Sequence, residues 1–285
     1  LASPNALIMS DGTVYFSISG TPNQAVNFHR GKLLRTTTTG GLPSTVVDAS
    51  AIYSVQDPLG VVPTSGRLYF FAVQPSLVPS IHTTSINAGG GPGTRFFQPN
   101  RSINGAVSDT GILILSESLS INSSRIVRFS PSGKANTVAD STKFSISQFG
   151  VPAINAAGSV VFSGSAFKAG LFRHNVYRGG NPTLDKLFGT DTPLFGSRII
   201  TVETGRFAIN DQGQIAFKYL LANGVSGVGV ANPTTPPSPP LPAVVATLGQ
   251  QVTGENSSTV YSSFGTPQVG VFAGKYKVNK LTTSA

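Results

Sequence analysis

Asn155-Ala-Ala-Gly158-Ser-Val-Val-Phe162 and Asn210-Asp-Gln-Gly213-Gln-Ile-Ala-Phe217 are two copies of one pattern. Each follows a short apolar stretch, Pro152-Ala153-Ile154 in one case and Arg206-Phe207-Ala208-Ile209 in the other. A strand that runs into Asn-x-x-Gly meets a side chain able to bond the turn backbone, then a residue that takes positive φ without steric cost. The β-branched and aromatic residues that follow read as the returning strand. Weaker copies are Ser10-Asp-Gly12-Thr-Val-Tyr-Phe16, Thr64-Ser-Gly66-Arg-Leu-Tyr-Phe70 and Ser108-Asp-Thr-Gly111-Ile-Leu-Ile114.

The five glycines are 54, 45, 47 and 55 residues apart. A period of about 50 residues is the mark of an array of supersecondary units. Within the unit a third strand follows, as in Ile126-Val-Arg128-Phe129 and Gly170-Leu-Phe172-Arg173. A Gly-containing turn then leads to a fourth, as in Ala135–Val138 and Thr183–Leu187. Four antiparallel strands per unit predict an all-β fold, a β-propeller of about six four-stranded blades, with five the other count. The sixth unit, starting near Ser263-Phe-Gly265-Thr-Pro267, reads as thin. Residues 1–285 are expected to form a single domain, with Pro-rich 231–242 a stiff loop inside the fifth unit.

The composition fits a turn-rich β-protein. Apolar residues make up 39% of the chain, enough for a core, whereas only 11% are charged against a usual quarter. Lys and Arg total 20 against 11 Asp and Glu, a net charge of +9 that favours anionic partners. The basic residues are scattered, without the runs or interleaved aromatics of a nucleic-acid module, so no nucleic-acid partner is expected. Cysteine is absent, which excludes disulfides and thiolate metal sites. No stretch of about 18 apolar residues is present, so no membrane span is expected. The chain opens Leu1-Ala2-Ser3 with no initiator Met, and the expectation is a mature secreted, extracellular protein.

The two best units resemble the tandem NxxGxxAF repeats of secreted bacterial proteins, familiar from cyanobacteria. Asn210 to Phe217 is similar to that consensus throughout, and Asn155 to Phe162 carries Val161 in place of Ala. Units one to three have Ser or Thr where the family has Asn. The resemblance implies a secreted β-repeat protein and no particular activity.

Candidate site residues fall at repeated positions. Arg128 and Arg173 follow their third strands, and Arg30, with His29, follows the comparable Val26-Asn-Phe28. As a ligand-binding row they would grip the carboxylates or sulfates of an acidic polysaccharide through guanidinium forks. The alternative is outward-facing strand residues that keep a sheet soluble. Asp11, Asp109 and Asp211 recur at the turns, either as a ring of hard oxygen ligands or as partners of their own turns. His29, His82 and His174 lack metal-ligand spacing, so no metal or cofactor is expected. Tyr53, Tyr69, Tyr177, Tyr219 and Tyr276 would either stack on sugars or lie half-buried in strands.

No catalytic residue stands out. There is no Gly-x-Ser-x-Gly elbow, and Ala88-Gly-Gly-Gly91-Pro-Gly93 lacks the Lys of a phosphate loop. A glycosidase pair among Asp57, Glu117, Asp140, Asp185 and Glu203 has no motif behind it. The reading is therefore a non-catalytic, carbohydrate-binding or structural protein associated with anionic polysaccharide or the cell envelope. The alternatives are a self-assembling homo-oligomer joined through strand edges and a polysaccharide hydrolase or lyase.

Overall fold

The computed structural model describes residues 6–8, 11–23, 28–37, 39–48, 54–73, 79–87, 94–97, 103–120, 123–232, 243–247, 250, 260–264 and 281–284, most of them with side chains. Among these the strands form six antiparallel sheets. The chain divides into two compact units, Leu1–Ile103 with Val107–Gly111, and Asn104–Ala106 with Ile112–Ala285.

The first unit holds two four-stranded meanders. One runs Ala6–Ile8, Thr13–Asn23, Phe28–Thr37, Ser44–Asp48, and the other Ser54–Val62, Arg67–Val73, Pro79–Ser85, Thr94–Phe97. In the second meander, Leu68, Tyr69, Phe70, Phe71 and Ala72 are all buried, so this inner strand is covered on both faces. A strand covered on one face only would alternate.

The third sheet runs Ile103–Val107, Leu113–Ser120, Ser123–Phe129, Ala135–Asp140. A single helical turn follows at Ser141–Phe144, with Asp140 as its N-cap accepting the Thr142 N–H. In the fourth sheet, Gln148–Phe149 and Ala153–Ile154 both pair with Val160–Lys168, which continues to Leu171–Arg178 and Lys186–Gly189. The fourth strand expected at Thr183–Leu187 begins at Lys186 instead. Asn181 takes the preceding residues into a turn, its Oδ1 accepting the N–H of Thr183 and of Leu184. The fifth sheet orders Pro193–Leu194, Ser197–Glu203, Ile215–Leu221, Ser226–Ala231 and Ala243–Thr247. The Pro-rich residues 233–242 lie outside the described residues, but the strands on either side pair with one another. In a sixth sheet Val260–Phe264 pairs with Leu281–Ser284, and residues 265–280 between them lie outside the described residues.

All five repeat glycines have positive φ: Gly12 81°, Gly66 58°, Gly111 83°, Gly158 80° and Gly213 78°. Each leads into an inner strand of its own sheet, so the recurring turn is a real structural equivalence. The reason such units must come in series is visible in the cores. One core joins Ile114, Ile126 and Ala139 of the third sheet to Phe149, Phe162 and Tyr177 of the fourth. Another joins Val161, Val176 and Phe188 of the fourth to Ile199, Ile215 and Phe217 of the fifth. Adjacent residues Val161 and Phe162 thus serve opposite faces, as strand alternation demands. Phe162 meets Phe149 edge-on at 5.0 Å between ring centroids, and Phe217 lies 4.8 Å from Phe188. A sheet with two apolar faces is stable only between two neighbours.

At Gly158 the φ of 80° coincides with crowding, since a Cβ there would lie 3.0 Å from Arg128 Nη2. Gly158→Ala is expected to cost about 1–2 kcal/mol from the left-handed backbone alone, read as a lower midpoint in urea unfolding.

Candidate functional site

The repeated polar residues serve first to join sheets. Asn155 Oδ1 accepts the Ser159 N–H at 2.8 Å and so closes its own turn. Its Nδ2 donates at 3.0 Å to the backbone carbonyl of Asn210, in the equivalent turn of the next sheet. Asp211 returns the link, its carboxylate accepting the Ala156 N–H at 2.8 Å. Asn210 closes its own turn in the same manner through Gln214 N–H at 2.9 Å. Both asparagines are buried. Asp11 accepts Thr13 N–H within its own turn, a bond that holds its carboxyl below the usual range. Asp11 and Asp211 therefore act as turn and inter-turn partners. Among the described residues no group of three or more His, Asp or Glu is placed to hold a metal ion.

The arginine row is rearranged by the register. Arg128 stands opposite Ile114, three residues after Gly111. The residue in that position of the fourth sheet is Arg178, opposite Val161 and three after Gly158, and in the first sheet it is Arg35, opposite Tyr15 and three after Gly12. Arg173 lies five residues nearer the hairpin tip, opposite Ala166, so Arg30, Arg128 and Arg173 do not form one row. The side chain of Arg30 lies outside the described residues. The hairpins differ in length, which is why counting along the chain picked the wrong partners.

The true row also points at neighbouring turns. Arg128 Nη2 is 3.0 Å from where a Cβ on Gly158 would stand, and Arg178 Nη2 is 3.4 Å from the same point on Gly213. Arg35 Nη1 donates to the Ile86 carbonyl at 3.1 Å, and Ile86 N–H in turn donates to Gly66. Half-buried Arg128 and Arg178 thus lie against the glycine turn of the following sheet, whereas Arg35 reaches Ile86, the residue bonded to Gly66.

Arg173 belongs to a different surface. Its Nη1 is 2.6 Å from Asp191 Oδ2, while Arg198 Nη1 approaches Asp191 Oδ1 at 3.5 Å. The arginine side chains are 40% and 66% exposed, so two guanidinium groups share one carboxylate in open solvent. Such exposed pairs contribute about 0–1 kcal/mol each to stability. Beside them Phe167 and Phe172 face each other across the strands at 5.0 Å, with His174 next in line 6.5 Å from Phe172. Phe167 and Phe172 are each 63% exposed. This aromatic ladder was passed over in the sequence, although the signal was present: Ala166-Phe167-Lys168-Ala169-Gly170-Leu171-Phe172 places apolar residues on both sides of a tight turn, where polar ones are usual.

The three described tyrosines of the proposed sugar platform are enclosed by the fold. Tyr69, Tyr177 and Tyr219 are buried, and burial raises the hydroxyl pKa of Tyr177 and Tyr219, whereas Tyr53 and Tyr276 lie outside the described residues. The acids are dispersed into local roles: Glu117 pairs with Arg125 Nε at 2.7 Å, Asp185 accepts Asn181 N–H at 2.7 Å, and Asp140 caps the helical turn. Glu203 stands opposite Lys218 in the fifth sheet, and the side chain of Asp57 lies outside the described residues. His82 is buried with Nε2 3.0 Å from Ser80 Oγ, while Ser80 itself donates to the Ala72 carbonyl. Burial, aided by the charge of Arg95, pushes His82 down to about 4.

These features define a β-propeller. The chain is similar to the β-propeller domain of the Trilobed protease from Pyrococcus furiosus, described as having an open velcro topology, with TM-score 0.56 and 10% identity over 90% of this chain and 78% of that one. It is also similar to a puromycin hydrolase, with TM-score 0.50 and 11% identity over 91% of this chain, and spans half the length of that protein. At such identities the likeness concerns the fold. No family model matches the chain, and no curated protein sequence matches it. Among the described residues no helix is long and apolar enough to cross a membrane.

Asn155→Ala removes one bond within a turn and one between turns, leaving buried groups unpaired. It is expected to cost about 1–3 kcal/mol, measured by chemical denaturation. For His82 the folded chain stays neutral between pH 6.5 and about 4, where the unfolded chain takes up a proton. Stability is therefore expected to fall as pH drops from 6.5 towards 4, by on the order of 2 kcal/mol. In His82→Gln that part of the pH dependence should disappear from unfolding curves recorded across the range.

Proposed function

We propose that the protein is a secreted β-propeller binding module that associates with acidic polysaccharide at the cell envelope. The observation that carries the reading is the exposed pair Arg173 and Arg198, gathered on the single carboxylate of Asp191. A uronate or sulfate group entering this site replaces Asp191 as the acceptor for one guanidinium, a bidentate geometry that lysine does not offer. The net charge of +9 on a sparsely charged chain draws such polymers from a distance. The fold supports the reading only as a rigid carrier: the ion-pair site sits on strands and a short turn of the fourth and fifth sheets. The resemblance of the glycine turns to secreted bacterial repeats is in keeping with an extracellular location.

The test is retention on immobilised alginate. The protein is expected to bind at low ionic strength and to elute as salt rises, because exposed charges are screened within about 8–10 Å at physiological strength. Arg173→Ala/Arg198→Ala should shift elution to markedly lower salt with unchanged unfolding. Elution independent of salt, or of these two residues, contradicts the reading.

A further inference from the structure

The hairpin formed by Val160–Lys168 and Leu171–Arg178 outreaches its own sheet. On one side the neighbouring strand ends at the pair Gln148 and Ser165, and on the other at the pair Gly189 and Asn175. The pair Ala166 with Arg173 is still tied down, Ala166 by the core and Arg173 by Asp191, so the pairs Phe167 with Phe172 and Lys168 with Leu171 are the ones that project. At about 3.3 Å per residue the free arm is about 7 Å long. Its turn, Ala169-Gly170, has φ of 51° and 77°, and pairing runs unbroken to the last residue, so the arm is a stiff wedge.

The wedge is apolar where it should be wettest. Phe167, Leu171 and Phe172 are 63%, 61% and 63% exposed. The corresponding hairpins of the third and fifth sheets carry Leu119 and Val225 at their tips, both exposed. The three sheets stack through shared cores, and the bonds from Asn155 to Asn210 and from Ala156 to Asp211 hold the glycine turns of the fourth and fifth together at one end. Each hairpin tip lies at the far end of the strand that its glycine turn begins. Leu119, the wedge and Val225 therefore share one side of this unit, with Arg173 and Arg198 set behind the apolar tip. Scattered exposed aliphatics need no explanation, but a projecting aromatic tip flanked by two more apolar tips does.

We propose that this side docks on an anionic lipid surface, with Phe167, Leu171 and Phe172 inserted among the headgroups and the arginines held at headgroup level. Interfacial insertion reaches about 5–10 Å below the surface, which matches the length of the arm. The excess of nine positive charges supplies attraction to a negative leaflet, of the kind that basic residues near a surface provide. A second copy of this chain carries the same positive excess and is the poorer electrostatic partner. The inference does not rest on glycan binding.

The experiment is co-sedimentation with vesicles of phosphatidylglycerol and phosphatidylcholine, and with vesicles of phosphatidylcholine alone. The protein is expected to sediment with the anionic vesicles only. The triple variant Phe167→Ser/Leu171→Ser/Phe172→Ser should lower the bound fraction at least about tenfold. It keeps both arginines and alters only exposed side chains, so its thermal midpoint and alginate retention should match the parent. Insertion is read separately by single-bromine quenching, with brominated lipid reducing the emission of a fluorophore at position 169. Three results would overturn the inference: no sedimentation with anionic vesicles, equal sedimentation of parent and triple variant, or a lipid-free dimer that the triple variant abolishes, which would make a second copy the occupant.

Discussion

A carboxamide that bonds in two directions underlies the arrangement of this protein. Asn155 spends its oxygen on its own turn and its nitrogen on the turn of the next sheet, and Asp211 answers from that next turn to the backbone of the first. Three bonds thus fix both the shape of a hairpin and its distance from its neighbour. The bonds matter because the sheets cannot stand alone: Val161 and Phe162 are buried on opposite faces of one strand, and each needs a different sheet to cover it. Apolar burial drives the sheets together, and the asparagine link sets their register.

The rest of the polar inventory is arranged around that constraint. Arg35, Arg128 and Arg178 occupy one cross-strand position in three sheets, and Arg128 and Arg178 lie against the glycine turn that follows. A residue with a Cβ at Gly158 would press on that guanidinium as well as strain its own backbone. Carboxylates are consumed at both ends, Asp11 and Asp211 at the glycine turns and Glu117 and Asp191 nearer the hairpin tips. Beyond those pairs, the hairpins of the third, fourth and fifth sheets put Leu119, Phe167, Leu171, Phe172 and Val225 into solvent.

Much of the fold was legible because its signal is local. A glycine that must take positive φ, preceded by Asn, Ser or Asp and followed by β-branched and aromatic residues, specifies a hairpin wherever it stands, and all five glycines proved equivalent. What depends on pairing between distant residues was not legible. The equivalence of Arg128 with Arg178 rather than Arg173 follows from register, which counting along hairpins of unequal length cannot deliver. Burial of Tyr69, Tyr177 and Tyr219 is set by which face of a strand meets a neighbouring sheet. The aromatic wedge was written plainly around Ala169-Gly170, yet apolar residues beside a turn read as core until the strand is seen to run past its neighbours.

The arrangement of neighbouring sheets stands or falls with the inter-turn link. Residue-resolved amide hydrogen exchange tests it at one proton, the Ala156 N–H, which sits in an accessible turn and has its acceptor on the next sheet. The account predicts that this amide is strongly protected in the parent and loses protection in Asp211→Ala, while Gly158 N–H, bonded to Asn155 within the same turn, keeps its own. Exchange of Ala156 at the rate of a free peptide in the parent, or protection indifferent to Asp211, would contradict it.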